Sequence, residues 1–222
     1  MLVAIHQPHY LPWLGYLHRM AQADLFIVLD HVQFERGNYQ NRTQVRVNGA
    51  AHWLTVPVVQ RSQKERIDEK LIDTREDWEA THYETLRRAY GHAAVAPLRA
   101  IYATPWERLV DLNDAMLRFL RGALGIRTPL VNSSELGVQG AKSELVLNLC
   151  LAVGADALLV GLGGSRQYLD RAAFAAAGVA LVLQEFKHPV YPQRGPGPFI
   201  PGLSALDMLF NHPKEEELAL AA

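Results

Sequence analysis

The chain opens with an apolar run, Met1–Ile5, that stops at His6-Gln7-Pro8-His9-Tyr10-Leu11-Pro12-Trp13. A run this short suits one buried strand. Proline cannot continue a strand ladder, so the chain must leave the sheet at Pro8. A second apolar run, Leu25–Leu29, ends as abruptly at Asp30-His31. Between the two, Trp13–Ala21 places Leu14, Leu17 and Met20 on one helical face. Strand, helix and apolar strand imply a right-handed βαβ unit with parallel strands. In open α/β sheets, ligands bind in the crevice beyond the carboxyl ends of the strands. Both polar strand ends therefore fall where such a fold builds its site.

The following segment changes period. Thr43–Val47 alternates apolar and polar residues, Asn48-Gly49 is a hairpin turn signal, and Ala51–Val58 resumes as a strand. Residues 60–75 are polar, with a short strand expected at Ile67–Ile72. Helices are expected at Trp78–Tyr90, Val95–Tyr102 and Pro105–Leu124, so that residues from about 76 to 128 form a helical insertion or cap. The α/β pattern then returns, with strands at Pro129–Val131, Ala157–Val160 and Val179–Leu183 and helices at Ser143–Ala152 and about Gln167–Ala177. A short helix, Leu206–Phe210, precedes a charged tail. The expected fold is one α/β domain over residues 1–212, with a central, mostly parallel, Rossmann-like sheet, an added β-hairpin, a helical middle segment and a solvated tail at 213–222.

The charge balance, 22 basic against 23 acidic residues, lacks the basic excess of a phosphate-backbone binder. A small anionic or sugar-bearing substrate stays open, because two or three arginines suffice for it. Cys150 sits in an apolar, helix-like run and reads as a core thiol. A lone cysteine forms no intramolecular disulfide and fits a reducing cytoplasm. The start of the chain lacks a signal-peptide pattern, and no apolar run reaches bilayer-spanning length. A cytoplasmic protein is expected. Composition identifies neither a cofactor nor an oligomeric state.

Four stretches carry chemistry-bearing side chains. The first holds His6, Gln7, His9, Tyr10 and Trp13. Its imidazoles suit acid–base work or substrate contact near neutral pH. His6 and His9 are also spaced as metal ligands, but zinc wants a further close ligand, from His31, His82 or Asp30. The alternative is that these side chains only satisfy loop backbone. The second stretch holds Asp30, His31, Gln33, Arg36, Asn38, Tyr39, Asn41 and Arg42. Its arginines can grip carboxylate or phosphate and its amides can read hydroxyls, or its asparagines can simply hold a polar loop together. If the two strands are neighbours, both stretches emerge at one sheet edge.

The third stretch, Gly161-Leu162-Gly163-Gly164-Ser165, joins a strand to a helix, with Arg166 and Tyr168 close behind. Glycines there let backbone amides approach an anion, although the pattern is neither the dinucleotide fingerprint nor the phosphate loop. Equally, Ser165 can cap the helix. The fourth is Pro-rich and contains Tyr191 and Gln193, which either reach a site or fasten the tail. Ser204 and Asp207 are spaced as a near capping box rather than a catalytic pair. His82 stands one turn after Trp78 in a helix and gets no role.

Together these stretches resemble the WbqC-like family. The resemblance rests on His6-Gln7-Pro8 with Tyr10-Leu11-Pro12-Trp13-Leu14-Gly15, Leu29-Asp30 with Val32-Gln33-Phe34, Gln40-Asn41-Arg42, and Trp53-Leu54-Thr55-Val56-Pro57. It continues in Tyr168-Leu169-Asp170, His188-Pro189, Tyr191, Gln193 and Leu203-Ser204-Ala205-Leu206-Asp207. His9 stands where many relatives have Asn, which weakens a two-histidine metal site. The resemblance implies a bacterial protein of surface-polysaccharide biosynthesis that transfers an amino acid such as glycine to a sugar. A more distant likeness is to adenylating nucleotidyltransferases, whose histidine motif is replaced here by Trp13, Leu14 and Tyr16 around Gly15.

The leading expectation is a group transferase, acyl or aminoacyl, acting on a sugar or nucleotide-sugar-like metabolite. His6 is the expected base, and Asp30 would orient it or bind the amine. Gln7, Asn38 and Asn41 would read hydroxyl or amide groups, and Arg36 and Arg42 would hold an anion. His9, Tyr10, Gln33, Tyr39, Ser165, Tyr168, Tyr191 and Gln193 complete the candidate contacts. With no convincing nucleophile, direct attack by the acceptor is expected over a covalent intermediate. The alternatives are a metal-dependent hydrolase, a nucleotidyltransferase-like enzyme and a non-catalytic sugar- or nucleotide-binding protein.

Overall fold

The structure, a computed structural model, describes residues 1–161, 163 and 168–211. Its strands are β1 (Leu2–His6), β2 (Leu25–Val28), β3 (Arg42–Val47), β4 (Ala50–Thr55), β5 (Leu130–Asn132), β6 (Ala157–Val160) and β7 (Ala180–Leu183). Five of them form a wholly parallel sheet in the order β5-β2-β1-β6-β7, while β3 and β4 pair antiparallel as a separate hairpin. Register puts His6 beside Val28 and Leu2 beside Ala157. The expected α/β class, parallel sheet and added hairpin are all present.

The helices are α1 (Leu14–Ala21), α2 (Trp78–Tyr90), α3 (His92–Val95), α4 (Arg99–Tyr102), α5 (Leu109–Ala123), α6 (Lys142–Ala152), α7 (Arg171–Ala176) and α8 (Ala205–Asn211). Strand alternation sends successive side chains to opposite faces of the sheet. Ala4, Phe26, Val28 and Leu159 join α1, the hairpin and the middle helices in one core. Val3, Ile27, Leu158 and Val160 join Leu149 and Cys150 of α6 and Phe174 of α7 in a second. Both faces are thus covered, which explains why these strands read as unbroken apolar runs. Each buried Val, Leu, Ile or Phe side chain among them contributes about 1.5–3 kcal/mol. Among the described residues, no helix is long and apolar enough to cross a membrane.

The sheet order reverses at β1. The chain runs from β1 to β2 and β5 on one side, then returns to β6 and β7 on the other. That reversal opens a crevice beyond the ends of β1 and β6, where doubly wound sheets bind ligands. The loop leaving β1 is pinned rather than free. Leu11 takes φ +46°, the Tyr10 N–H donates to the Tyr39 carbonyl at 3.0 Å, and Thr43 Oγ1 donates to the Leu11 carbonyl at 3.0 Å. Trp13 then folds back over Gly15, where any Cβ would run into its indole. The motif Pro12-Trp13-Leu14-Gly15 therefore aims α1 back along the sheet.

Several local expectations are corrected. Ile67–Ile72 is not a strand: Ile67–Glu69 is a 3-10 turn, and Leu71 and Ile72 make only isolated bridges to Arg108 and Val58. Val95–Tyr102 is not one helix, because Pro97 cannot donate into it, and the segment breaks into α3, a 3-10 turn and α4. β4 stops at Thr55, two residues before Pro57, not at Val58. The helix expected from Pro105 starts at Leu109. α7 begins at Arg171, where Asp170 caps it by accepting from Ala172 and Ala173 N–H at 3.0 and 3.1 Å.

Candidate functional site

A cleft of about 380 Å³ lies at the reversal point. Ile5, Val146, Leu158, Val160 and Leu169 make an apolar wall, and His6, Gln7, Arg19, Glu35 and Tyr168 supply polar groups. β1 delivers His6 and Gln7, α1 delivers Arg19, and the turn after β6 contributes Gly161 and Gly163.

His6, the last residue of β1, is half-buried. Its Nδ1–H donates to the Gln7 carbonyl at 2.9 Å, because a carbonyl can only accept. The other ring nitrogen, Nε2, is left without a proton in the neutral ring. Burial holds the His6 pKa well below the usual imidazole value, and the neighbouring His9 and Arg19 lower it further. The ring rests edge-on against His9 and Tyr16, both with centroids 4.6 Å away. These influences all favour the uncharged ring, whose Nε2 then carries a lone pair.

His9 stands behind His6 and does not line the cleft. It is sandwiched between Tyr16 and Tyr39, at 5.3 and 5.6 Å, and burial, then Arg19, lowers its pKa to about 3. Gln7 is oriented by Gln40, whose amide nitrogen donates to Gln7 Oε1 at 2.9 Å. Gln40 is fixed in turn by Glu35 N–H on its Oε1 and by Asn113 on its carbonyl, at 2.9 and 2.8 Å. Among the described residues the Gln7 amide nitrogen has no partner, and the side chain lines the cleft. The two polar stretches do meet, through Gln40 on Gln7 and Tyr39 on His9.

Arg19, which sequence reasoning passed over, is only 8% exposed. Its Nε–H donates to Gln184 Oε1 at 3.2 Å, and Gln184 is itself held by donating to the Gly15 carbonyl at 2.8 Å. Its guanidinium lies against Gly161, where a Cβ would collide with it. Burial lowers its pKa, against the opposing influence of Tyr16 and Tyr168. Glu35 and Gln40 were passed over as well.

The other candidates are placed as follows. Asp30 is buried and does not bond His6: its Oδ1 accepts from Ser133 Oγ and Ser134 N–H at 2.9 Å each, and its Oδ2 from Ser134 Oγ at 2.6 Å. Ser133 Oγ in turn accepts from His31 Nδ1 at 2.6 Å. The expected orienting of His6 by Asp30 is corrected accordingly. Tyr10 is a core residue with no exposed surface, its hydroxyl 2.6 Å from that of Tyr102 and 2.9 Å from His82 Nδ1. Asn41 is buried and donates to the Val56 carbonyl at 2.8 Å. Asn38 donates to Glu35 at the cleft mouth at 2.7 Å, and Gln33 donates away from it to the Gln63 carbonyl at 2.7 Å.

Arg36 and Arg42, expected to hold an anion, do not line the cleft. Arg36 is exposed, and Arg42 lies 4.2 Å over the Trp53 ring and donates to the Gly37 carbonyl. Tyr191 and Gln193 fasten the C-terminal segment, donating to Asp207 Oδ2 at 3.0 and 2.7 Å. Asp207 turns inward to them, so it does not complete a capping box with Ser204. Tyr168 is half-exposed at the cleft, and Ser165 lies outside the described residues. Cys150 is buried in the second core with its thiol pushed up to about 12, as befits a core residue. Among the described residues, no three His, Cys, Asp or Glu side chains gather as metal ligands do.

No solved structure matches the chain. The uncharacterised protein Rv1507c of Mycobacterium tuberculosis (strain ATCC 25618 / H37Rv) is 32% identical to it over 217 residues, covering 94% of this chain and 93% of that one. The model of the WbqC-like protein family matches residues 7–218, a span that holds the whole cleft except Ile5 and His6. By that match, and by the relative that parallels it end to end, this chain belongs to the WbqC-like protein family.

Proposed function

We propose that the protein is a cytoplasmic group transferase, acyl or aminoacyl, that acts on a sugar or nucleotide-sugar-like metabolite in surface-polysaccharide biosynthesis. The observation that carries this reading is the His6 ring lining the cleft at the sheet reversal, with its Nδ1–H engaged by the Gln7 carbonyl, which leaves Nε2 to exchange a proton. Such a ring takes a proton from an acceptor amine or hydroxyl as that group attacks an acyl carbonyl, and returns it to the leaving group. Gln7 offers amide donors to substrate hydroxyls or to the developing oxyanion. The apolar wall offers a surface for the carbon skeleton of a donor. Cys150, the single thiol, is buried in the second core and does not line the cleft, so the reading takes direct attack by the acceptor over a thioester intermediate.

The test is a thermal-shift screen of nucleotide sugars, amino acids and divalent metals, followed by mass-spectrometric detection of product from the pairs that stabilise. Stabilisation by a nucleotide sugar with appearance of an acylated or aminoacylated product supports the reading. Saturable binding without turnover by any donor makes the protein a binder. Activity that depends on an added metal and yields only hydrolysis makes it a hydrolase.

A further inference from the structure

We infer that Arg19 is the anion anchor of the cleft, so that the substrate carries a compact oxyanion, phosphate or carboxylate, beside the group on which His6 acts. This deepens the transferase reading and rests on the same cleft. Guanidinium groups are rarely this buried unless paired, because removing a charge from water is costly. Arg19 is 8% exposed, yet among the described residues no carboxylate lies within ion-pair distance of it. The segment between Gly161 and Tyr168, Leu-Gly-Gly-Ser-Arg-Gln, contains no acid. Glu35, the acid lining the cleft, is exposed and bonded to Asn38.

The charge is held in place rather than left loose. Gln184 engages only Nε, and Gly161 lets the guanidinium plane lie flush on the backbone after β6. The remaining N–H fork suits the two oxygens of a carboxylate or phosphate. Arg19 lines the cleft together with His6, so an anion held there lies next to the imidazole. Tyr168, also lining the cleft, closes this end without adding charge at neutral pH.

The test uses NMR titration of the full chain with inorganic phosphate and, separately, with acetate, read at the Arg19 Nε–H and Gly161 N–H resonances. Saturable shifts with at least one of them are expected, and the one that saturates tells a phosphoryl from a carboxylate group. Affinity should fall at least tenfold in Arg19→Met, read at Gly161, and by less in Arg19→Lys. Gly161→Ala keeps Arg19 but puts a Cβ where the guanidinium lies, so it should also lose affinity if Arg19→Met fails to fold. No saturable shift in the wild type, or unchanged affinity in Arg19→Met or Gly161→Ala, would overturn the assignment. His6→Gln should still bind the anion. If it does so and also keeps turnover, the base assignment falls while the anchor stands.

Discussion

The Nδ1–H of His6 points at the carbonyl of Gln7, 2.9 Å away, and this one bond decides which nitrogen of the neutral ring carries the proton. It uses the backbone of the next residue, so the tautomer follows from the turn that Pro8 forces on the chain. Arg19 on α1 and His9 behind the ring both penalise a proton on His6. The guanidinium that disfavours a proton on His6 favours an anion in the same cleft.

Stability should fall with acidity well above the usual carboxylate range. Burial lowers His82 to about 4 and His9 to about 3, and His6 is lowered too. An unfolded histidine titrates near 6.5, so below that pH the unfolded chain binds protons that the folded chain refuses. The stabilisation from each depressed group is fully present above pH 6.5 and is lost as pH falls toward the folded value. For His82 alone this amounts to roughly 3 kcal/mol. Urea midpoints measured from pH 7.5 to 4.5 should drop steadily, and a flat profile would show that these rings are not buried neutral.

Asp30 is a structural tie between β2 and β5. Three hydrogen bonds reach its carboxylate from Ser133 and Ser134. Asp30→Ala should cost about 2–4 kcal/mol by leaving those donors unpaired. Asp30→Asn should cost less, and neither should move the titration of His6. A shift in the His6 titration on Asp30→Asn would restore the orienting role expected from sequence.

The C-terminal segment is held by one buried carboxylate. Asp207 accepts from Tyr90 at 3.0 Å as well as from Tyr191 and Gln193, and Arg46 donates to Gln193 and to the carbonyls of Pro196 and Pro198. Tyr191→Phe should cost about 1–2 kcal/mol of stability. Ligand affinity at the cleft should be unchanged, as isothermal titration with a ligand from the screen would show; a tenfold loss of affinity would return Tyr191 to the binding site.

The parts of the fold written in local pattern were readable. α2 runs over Trp78–Tyr90 as its spacing predicts. Asn48 and Gly49 take the positive φ values, +50° and +81°, that their hairpin needs. Errors arose where single apolar residues plug a core without forming a ladder, as at Ile67 and Ile72, and where Pro97 interrupts a helical pattern. The site was half readable. His6 and Gln7 stand out because a strand ends on them. Arg19 looks like any basic residue on an amphipathic helix, and it is buried by Gly161 and Gln184, which are remote in sequence. Conversely, Tyr10 sits amid the most reactive-looking stretch yet ties the β1 loop to the helical segment through Tyr102 and His82. Polar type alone cannot tell a contact with substrate from a buried tie.

The role of His6 is tested most directly by His6→Gln, assayed with the best donor–acceptor pair from the screen for both binding and product. An amide that fits the ring's space but accepts no proton should leave affinity within about threefold while product formation falls 10²- to 10⁴-fold. Turnover by His6→Gln at the wild-type rate, with binding intact, would contradict the assignment of His6 as the base.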